Sequence, residues 1–264
     1  MLINKGFSSV PDAAQKLGCN TIQIFSKNPR GWDSKELKKD DVDLFKSKME
    51  KFNIAPLIIH TSYLLSLSSS NKDVFVKSSY SLIDEMERAK ILGAEFLVTH
   101  IRGDGKVQII EGIDWALGKV ADPPILLLEG VPSLGRDIFK LLGEIIKGSK
   151  YKRHLGICFD TCHIYTAGFD LSKKSGIDEV KKQIKKHVGL NRLYVMHLND
   201  SKSPLGSKID RHEHIGKGHI GLKGFSYLLN DSYFSKVPMI IETPKKTPQD
   251  DKKNLKVLRS LIKN

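Results

Sequence analysis

Short apolar runs recur along the chain, each followed by a longer stretch with helical spacing. The runs are Thr21–Phe25, Pro56–His60, Glu95–His100, Ile125–Glu129, Gly156–Asp160, Leu193–His197 and Met239–Glu242. Nearly continuous apolar runs suit strands buried on both faces, as in a parallel sheet. Between them, Lys72 to Leu92 predicts a helix with Val76, Ile83, Met86 and Ala89 at helical spacing, and Gly93 is the residue type that stops one. Pro11 to Leu17 predicts a shorter helix with Pro in its first turn and Gly18 past its end. An eighth strand, short and weakly marked, is expected at Leu2 to Phe7. Eight βα units in about 260 residues have the size and rhythm of an α/β fold of the (β/α)8 TIM-barrel type, as a single domain over the whole chain. A doubly wound sheet would carry a Gly-rich phosphate loop after its first strand, and Gly6-Phe7-Ser8-Ser9 is not that pattern.

Composition narrows the function classes. With 40% hydrophobic and 28% charged residues the chain can build a core, which argues against a disordered chain. No stretch approaches the ~20 apolar residues of a membrane span, and the N-terminus has no apolar h-region, so no membrane partner and no cleaved signal are expected. Three cysteines, at 19, 158 and 162, are too few and odd in number for a disulfide scaffold. They point to a reducing, cytoplasmic setting. The balance of 43 Lys and Arg against 30 Asp and Glu gives a formal charge of +13. Such a field favours a polyanionic partner, nucleic acid first.

Strand after strand ends in a side chain that can hold a metal: His60, His100, Glu129, Asp160, His197 and Glu242. In a barrel these ends converge on one rim. Buried carboxylates and imidazoles in that number repel and desolvate one another unless cations hold them. Two local clusters add His163, three residues after Asp160, and the pair Asp210 and His212, which an extended loop would point the same way. Five His, two Asp and two Glu exceed one ion's four to six ligands, so two or three metals are expected, with bridging carboxylates. The imidazole-rich set favours zinc, with manganese or iron as alternatives. Cys158 and Cys162 are read as packing residues, His187 as solvated, and His214 and His219 as neighbours of the ligands.

These residues sit in strings that resemble the endonuclease IV family of apurinic/apyrimidinic endonucleases. The strings are Lys27-Asn28-Pro29-Arg30-Gly31-Trp32, His60-Thr61-Ser62-Tyr63-Leu64, Phe159-Asp160-Thr161-Cys162-His163 and His197-Leu198-Asn199-Asp200-Ser201-Lys202. They continue with Gly206-Ser207-Lys208-Ile209-Asp210-Arg211-His212, Ile215-Gly216-Lys217-Gly218 and Ile241-Glu242-Thr243, so the resemblance covers essentially the whole chain. It implies a monomeric zinc-dependent DNA repair endonuclease with three Zn2+ ions, Mn2+ being an alternative at one site. His60, His100 and Glu129 would hold one ion. Glu129 would bridge to a second, shared with Asp160, His197 and Glu242. His163, Asp210 and His212 would hold the third. The substrate implied is double-stranded DNA with abasic or 3′-blocked sites, cut 5′ to the abasic site to leave a 3′-hydroxyl and a 5′-deoxyribose phosphate, with trimming of blocked 3′ ends. The chain departs from the family pattern at Lys5-Gly6-Phe7-Ser8-Ser9, His100-Ile101-Arg102-Gly103 and Glu129-Gly130, beside the first two metals.

Two metals about 3.5–4 Å apart can activate water at neutral pH and neutralise the charge gathering on a phosphate. Glu129, as the bridge, is the catalytic residue in this reading, and no Ser or Cys nucleophile is required. DNA contact needs cations for phosphate and side chains to fill the stack where a nucleotide is extruded. Tyr63, Leu64 and Arg30 stand in rim loops suited to the second task; Lys202, Lys208 and Arg211 are assigned to phosphate. Two alternatives share the pattern: a sugar isomerase or epimerase of the xylose-isomerase-like barrels, and a barrel that binds damaged DNA without cutting it.

Overall fold

The computed structural model describes residues 6–103 and 105–263. Its strands are β1 (Ile22–Phe25), β2 (Leu57–His60), β3 (Phe96–Ile101), β4 (Ile125–Gly130), β5 (Leu155–Asp160), β6 (Leu193–His197), β7 (Asp200–Ser201), β8 (His212–Glu213) and β9 (Met239–Ile240). Its α-helices are α1 (Val10–Lys16), α2 (Lys39–Lys51), α3 (Lys72–Leu92), α4 (Lys106–Leu117), α5 (Ile138–Gly148), α6 (Thr161–Thr166), α7 (Lys174–His187), α8 (Gly221–Leu229) and α9 (Asp250–Leu261). Seven strands form one sheet in the order β1-β2-β3-β4-β5-β6-β9, each of the seven expected runs supplying one. The expected eighth strand falls mostly on residues 2–5, outside the described residues. Phe7, at its far end, lies in a short 3-10 helix, Phe7–Ser9.

The chain divides into two compact units. One runs up to Ile101 and takes in Gly105–Leu128 and Ile145–Gly156; the other takes in Glu129–Glu144 and the chain from Ile157 onward. In the first unit β1, β2 and β3 pair in parallel, with Phe25 beside His60 and His60 beside Val98. Ile24, Ile58, Ile59, Leu97 and Val98 are all buried, as apolar runs covered on both faces must be. Helix α3 spans the expected residues. Asn71 caps it by accepting from Asp73 N and Val74 N, and Gly93 ends it at φ 78°, a left-handed conformation that glycine adopts without a Cβ clash.

The face that α3 buries takes in part of that spacing: Met86 and Ala89 are buried and Ile83 is half-buried. Val76 is 48% exposed. The buried side carries Ser78, Leu82, Glu85, Met86, Arg88, Ala89 and Leu92. Polar side chains turn inward because they hold loops: Glu85 accepts from Ser62 N at 2.9 Å, and Arg88 donates to the carbonyls of Ser26 and Lys35. An apolar periodicity cannot register a face built this way.

In the second unit β5, β6 and β9 pair in parallel, with Asp160 beside His197 and His197 beside Ile240. Strand β9 is shorter than its run. The backbone N of Glu242 bonds the Asn199 side chain at 2.8 Å instead of continuing the ladder. Strands β7 and β8 form a small antiparallel pair, Asp200 with Glu213 and Ser201 with His212, in a segment expected to be loop.

Candidate metal centre

The register that aligns strand ends also aligns their chemistry. In the first unit His60 closes β2, nearly fully buried, and His100 lies near the end of β3. Their rings meet edge to face with centroids 4.9 Å apart. His60 Nδ1 lies 2.8 Å from the Thr61 carbonyl. A carbonyl only accepts, so Nδ1 donates to it, and a metal would be met through Nε2.

The second unit brings the other seven candidates together. Glu129 is the penultimate residue of β4, and its Oε1 stands 3.2 Å from both His163 Nδ1 and His197 Nδ1. His197 Nδ1 lies 3.3 Å from Glu242 Oε2 and 4.0 Å from Asp160 Oδ2. His163 Nε2 lies 3.2 Å from Asp210 Oδ2. His212 Nε2 lies 3.2 Å from Asp210 Oδ1 and 3.5 Å from Asp160 Oδ2. Ligand atoms of Asp160, His197 and Glu242 lie within 4.8 Å of one another, as do those of Asp160, His163 and His212. The helix that carries His163 begins on Asp160, whose Oδ1 accepts from Cys162 N and His163 N as its N-cap. That cap makes one short motif deliver two ligands.

The donor set fits divalent cations. His212 Nδ1 donates to the Glu242 carbonyl at 3.2 Å, which aims Nε2 at two carboxylates; that buried nitrogen has no hydrogen bond. A cation between them satisfies all three groups. The proton affinities carry the same message. Burial pulls the His163, His197 and His212 imidazoles down, but the surrounding carboxylates, with Cys158 beside His197, outweigh it. His163 and His197 end well above the ordinary histidine value and His212 at about 9. Asp210 is held far below the usual carboxylate range: burial raises it, and His163 and His212 more than reverse that. Four carboxylates therefore demand positive charge, which protons or metal ions can supply.

The two cysteines stand closer to this chemistry than a packing role requires. Cys158 shares a 4.8 Å group with Glu129 and His197, and Cys162 shares one with Asp210 and His212. Burial pushes both thiols up to about 12. His214 meets Asn254 Nδ2 at 3.0 Å, and Asn254 also bonds Ile215 N and Thr243, tying the ligand-bearing segments to α9. His219 is exposed. Asn199 and Asp200 carry more of the construction than the sequence suggested, although both lie in a quoted string. Asp200 is buried and accepts from the backbone N of Ser201, Gly216, Gly218 and Ile220, which anchors the loop beyond β8.

The candidate DNA contacts lie outside the ligand clusters. Arg30 is exposed, Tyr63 is 40% exposed and Leu64 is half-buried. Pro29 O accepts from both Ser62 Oγ and Tyr63 N, so the loops carrying Arg30 and Tyr63 are hooked together. Tyr63 stacks on His100 with centroids 6.1 Å apart. Trp32 is half-buried, and its carbonyl accepts from Lys27 Nζ. Lys202, Lys208 and Arg211 are exposed in the second unit.

Known proteins resemble this chain in sequence and fold. A family model described as a xylose isomerase-like TIM barrel matches residues 11–261. The probable endonuclease 4 of Halothermothrix orenii is 39% identical over 255 residues, spanning 93% of this chain and 92% of its own. The crystal structure of endonuclease IV from Thermus thermophilus superposes with a TM-score of 0.87 at 34% identity, covering 98% of this chain and 94% of that one. A xylose isomerase domain protein from Planctomyces limnophilus reaches a TM-score of 0.67 at 17% identity, over 95% of this chain and 90% of its own, a likeness of fold alone.

Proposed function

The chain belongs to the endonuclease IV family of xylose isomerase-like TIM barrels, and from that premise we propose that it is a DNA repair endonuclease acting at abasic sites in duplex DNA. In this reading it hydrolyses the phosphodiester 5′ to the lesion, leaving a 3′-hydroxyl and a 5′-deoxyribose phosphate, and trims blocked 3′ ends. The observation that carries the reading is the ring of four carboxylates and three imidazoles in the second unit.

Asp160, His197 and Glu242 would hold one divalent ion, with Glu129 beside His197. His163, Asp210 and His212 would hold another. His60, through Nε2, and His100 would join Glu129 for a third, as the family resemblance implies. Zinc suits the mixed imidazole and carboxylate set, with manganese an alternative at one position. Such ions supply charge to the phosphate and activate water near neutral pH. The chain's residues do the rest. Glu129 orients two imidazoles at once. Asp160 caps the helix that presents His163. Tyr63 and Leu64 would fill the gap left by an extruded nucleotide, and Arg30 would stand beside them. Lys202, Lys208 and Arg211 would meet phosphates.

No described helix is long and apolar enough to cross a membrane. We read the protein as a cytoplasmic monomer. The test is a duplex carrying one tetrahydrofuran abasic analogue, incubated with the protein with and without a chelator. Nicking 5′ to the analogue, lost on chelation and restored by zinc, supports the reading. Binding without nicking would make the protein a damage sensor, and ketose–aldose turnover with no effect on DNA would make it a sugar isomerase.

A further inference from the structure

We infer that Asn199 is a positioning residue that sets which oxygen of Asp160 faces the metal ions and pins the backbone that carries Glu242, an inference that rests on the metal reading above. Asn199 follows β6 by two residues and is fully buried. Its side chain works in two directions. Nδ2 donates to Asp160 Oδ2 at 2.5 Å, and Oδ1 accepts from the backbone N of Glu242 at 2.8 Å. One amide thus joins the end of β5 to the segment after β9. Its own backbone is locked to the same place: Thr161 Oγ1 donates to Asn199 O at 2.7 Å and accepts from Asn199 N at 2.8 Å.

The consequence falls on Asp160. Its Oδ1 accepts from Cys162 N at 2.6 Å and His163 N at 3.1 Å, so that oxygen belongs to the helix cap. Oδ2 faces His212 Nε2 at 3.5 Å and His197 Nδ1 at 4.0 Å. A carboxylate oxygen has about two lone-pair directions. Asn199 occupies one of them on Oδ2. The other is left for metal, which makes Asp160 a ligand through a single oxygen. Outer partners of this kind hold ligand orientation, and losing one typically weakens metal binding by about 10- to 100-fold.

An amide is required because it donates and accepts at once. Aspartate at 199 keeps the acceptor for Glu242 N but turns a second carboxylate against Asp160. Serine is too short to reach either partner. The experiment uses the full chain as wild type, Asn199→Asp and Asn199→Ser. Each is loaded with zinc, and zinc release to a chromophoric chelator is followed per folded molecule; melting of the metal-stripped proteins is recorded alongside. Both variants are expected to bind zinc about 10- to 100-fold more weakly; the stripped proteins melt below wild type as buried hydrogen bonds are lost, Asn199→Asp further than Asn199→Ser because no cation offsets its second carboxylate. If Asn199→Asp does not fold, Asn199→Ser carries the same expectation without added charge. Wild-type retention of zinc in both variants overturns the inference. So does a lowered melting point with unchanged zinc release, which would make Asn199 a packing residue only. A wild-type protein that takes up no zinc overturns the metal reading itself, and is told apart because the first arm fails before any variant is compared.

Discussion

Glu129 presents Oε1 to His163 Nδ1 at 3.2 Å, and the same oxygen stands 3.2 Å from His197 Nδ1. One buried carboxylate at the end of β4 therefore serves imidazoles from α6 and β6. Glutamine at this position preserves size and removes the charge that would let one group bridge cations in the proposed centre. Metal charge stabilisation is worth several kcal/mol in a phosphoryl transition state, and each 1.36 kcal/mol is tenfold in rate. Glu129→Gln should therefore lower kcat on abasic duplex by roughly 10²- to 10⁴-fold, with binding retained. Single-turnover nicking beside an anisotropy titration checks this. Cleavage near the wild-type rate would remove Glu129 from the reaction.

Much of this centre was legible in the residues, because strand ends carry both the fold signal and the chemistry. His60, Glu129, Asp160 and His197 each close an apolar run, and the structure ends a strand on or beside each of them. What was not legible depends on side chains bonding backbone. Glu242 lies beyond its strand because Asn199 takes its N–H, and no periodicity reports that. The two-residue strands β7 and β8 are too short to leave a pattern. The inward polar face of α3 hid Glu85 and Arg88 for the same reason: their partners are the carbonyls and amides of distant loops.

Glu85, a buried carboxyl that is not itself a candidate ligand but feels the charge of His60, gives a pH prediction. Its Oε1 accepts from Ser62 N and lies 3.9 Å from Lys27 Nζ, while its Oε2 is buried without a hydrogen bond. Burial lifts its pKa from 4.5 to about 7, against the opposing pull of the Ser62 amide and Lys27. The folded state thus prefers the protonated acid. That contribution is fully present below the unfolded value near 4.5 and is lost as pH rises to about 7. At 1.36 kcal/mol per unit the difference is about 3 kcal/mol. Glu85→Gln should abolish this slope. Urea unfolding of both proteins between those pH values measures it, and parallel curves would show that Glu85 does not titrate on unfolding.

Tyr63 and Leu64 stand in a loop held from below by Glu85 and from the side by Pro29. Side chains so supported can wedge into an opened base stack with little ordering on binding. Base–aromatic stacking contributes about 1–3 kcal/mol by alanine substitution. Replacing both residues by Ala should weaken binding to abasic duplex by at least about tenfold and binding to intact duplex far less. Competition titrations with the two duplexes decide it. Equal losses on both would reduce Tyr63 and Leu64 to loop packing.

Lys202 and Arg211 are placed side by side by the small β7–β8 pair, where Lys202 N donates to Arg211 O at 2.9 Å. Both side chains are exposed, as is that of Lys208 on the intervening loop. If each meets a phosphate, each releases a condensed counterion, and removing one such cation makes the slope of log K against log salt shallower by about 0.9. Lys202→Ala, Lys208→Ala and Arg211→Ala should each flatten that slope by about 1 across sequences. Lys245 offers the control. It pairs with Asp251 Oδ2 at 2.7 Å, so Lys245→Ala should leave the slope unchanged. Anisotropy titrations between about 50 and 200 mM salt read all four variants. An unchanged slope in the first three would move the DNA path off this hairpin, and a flattened slope in Lys245→Ala would bring the segment around Lys245 into it.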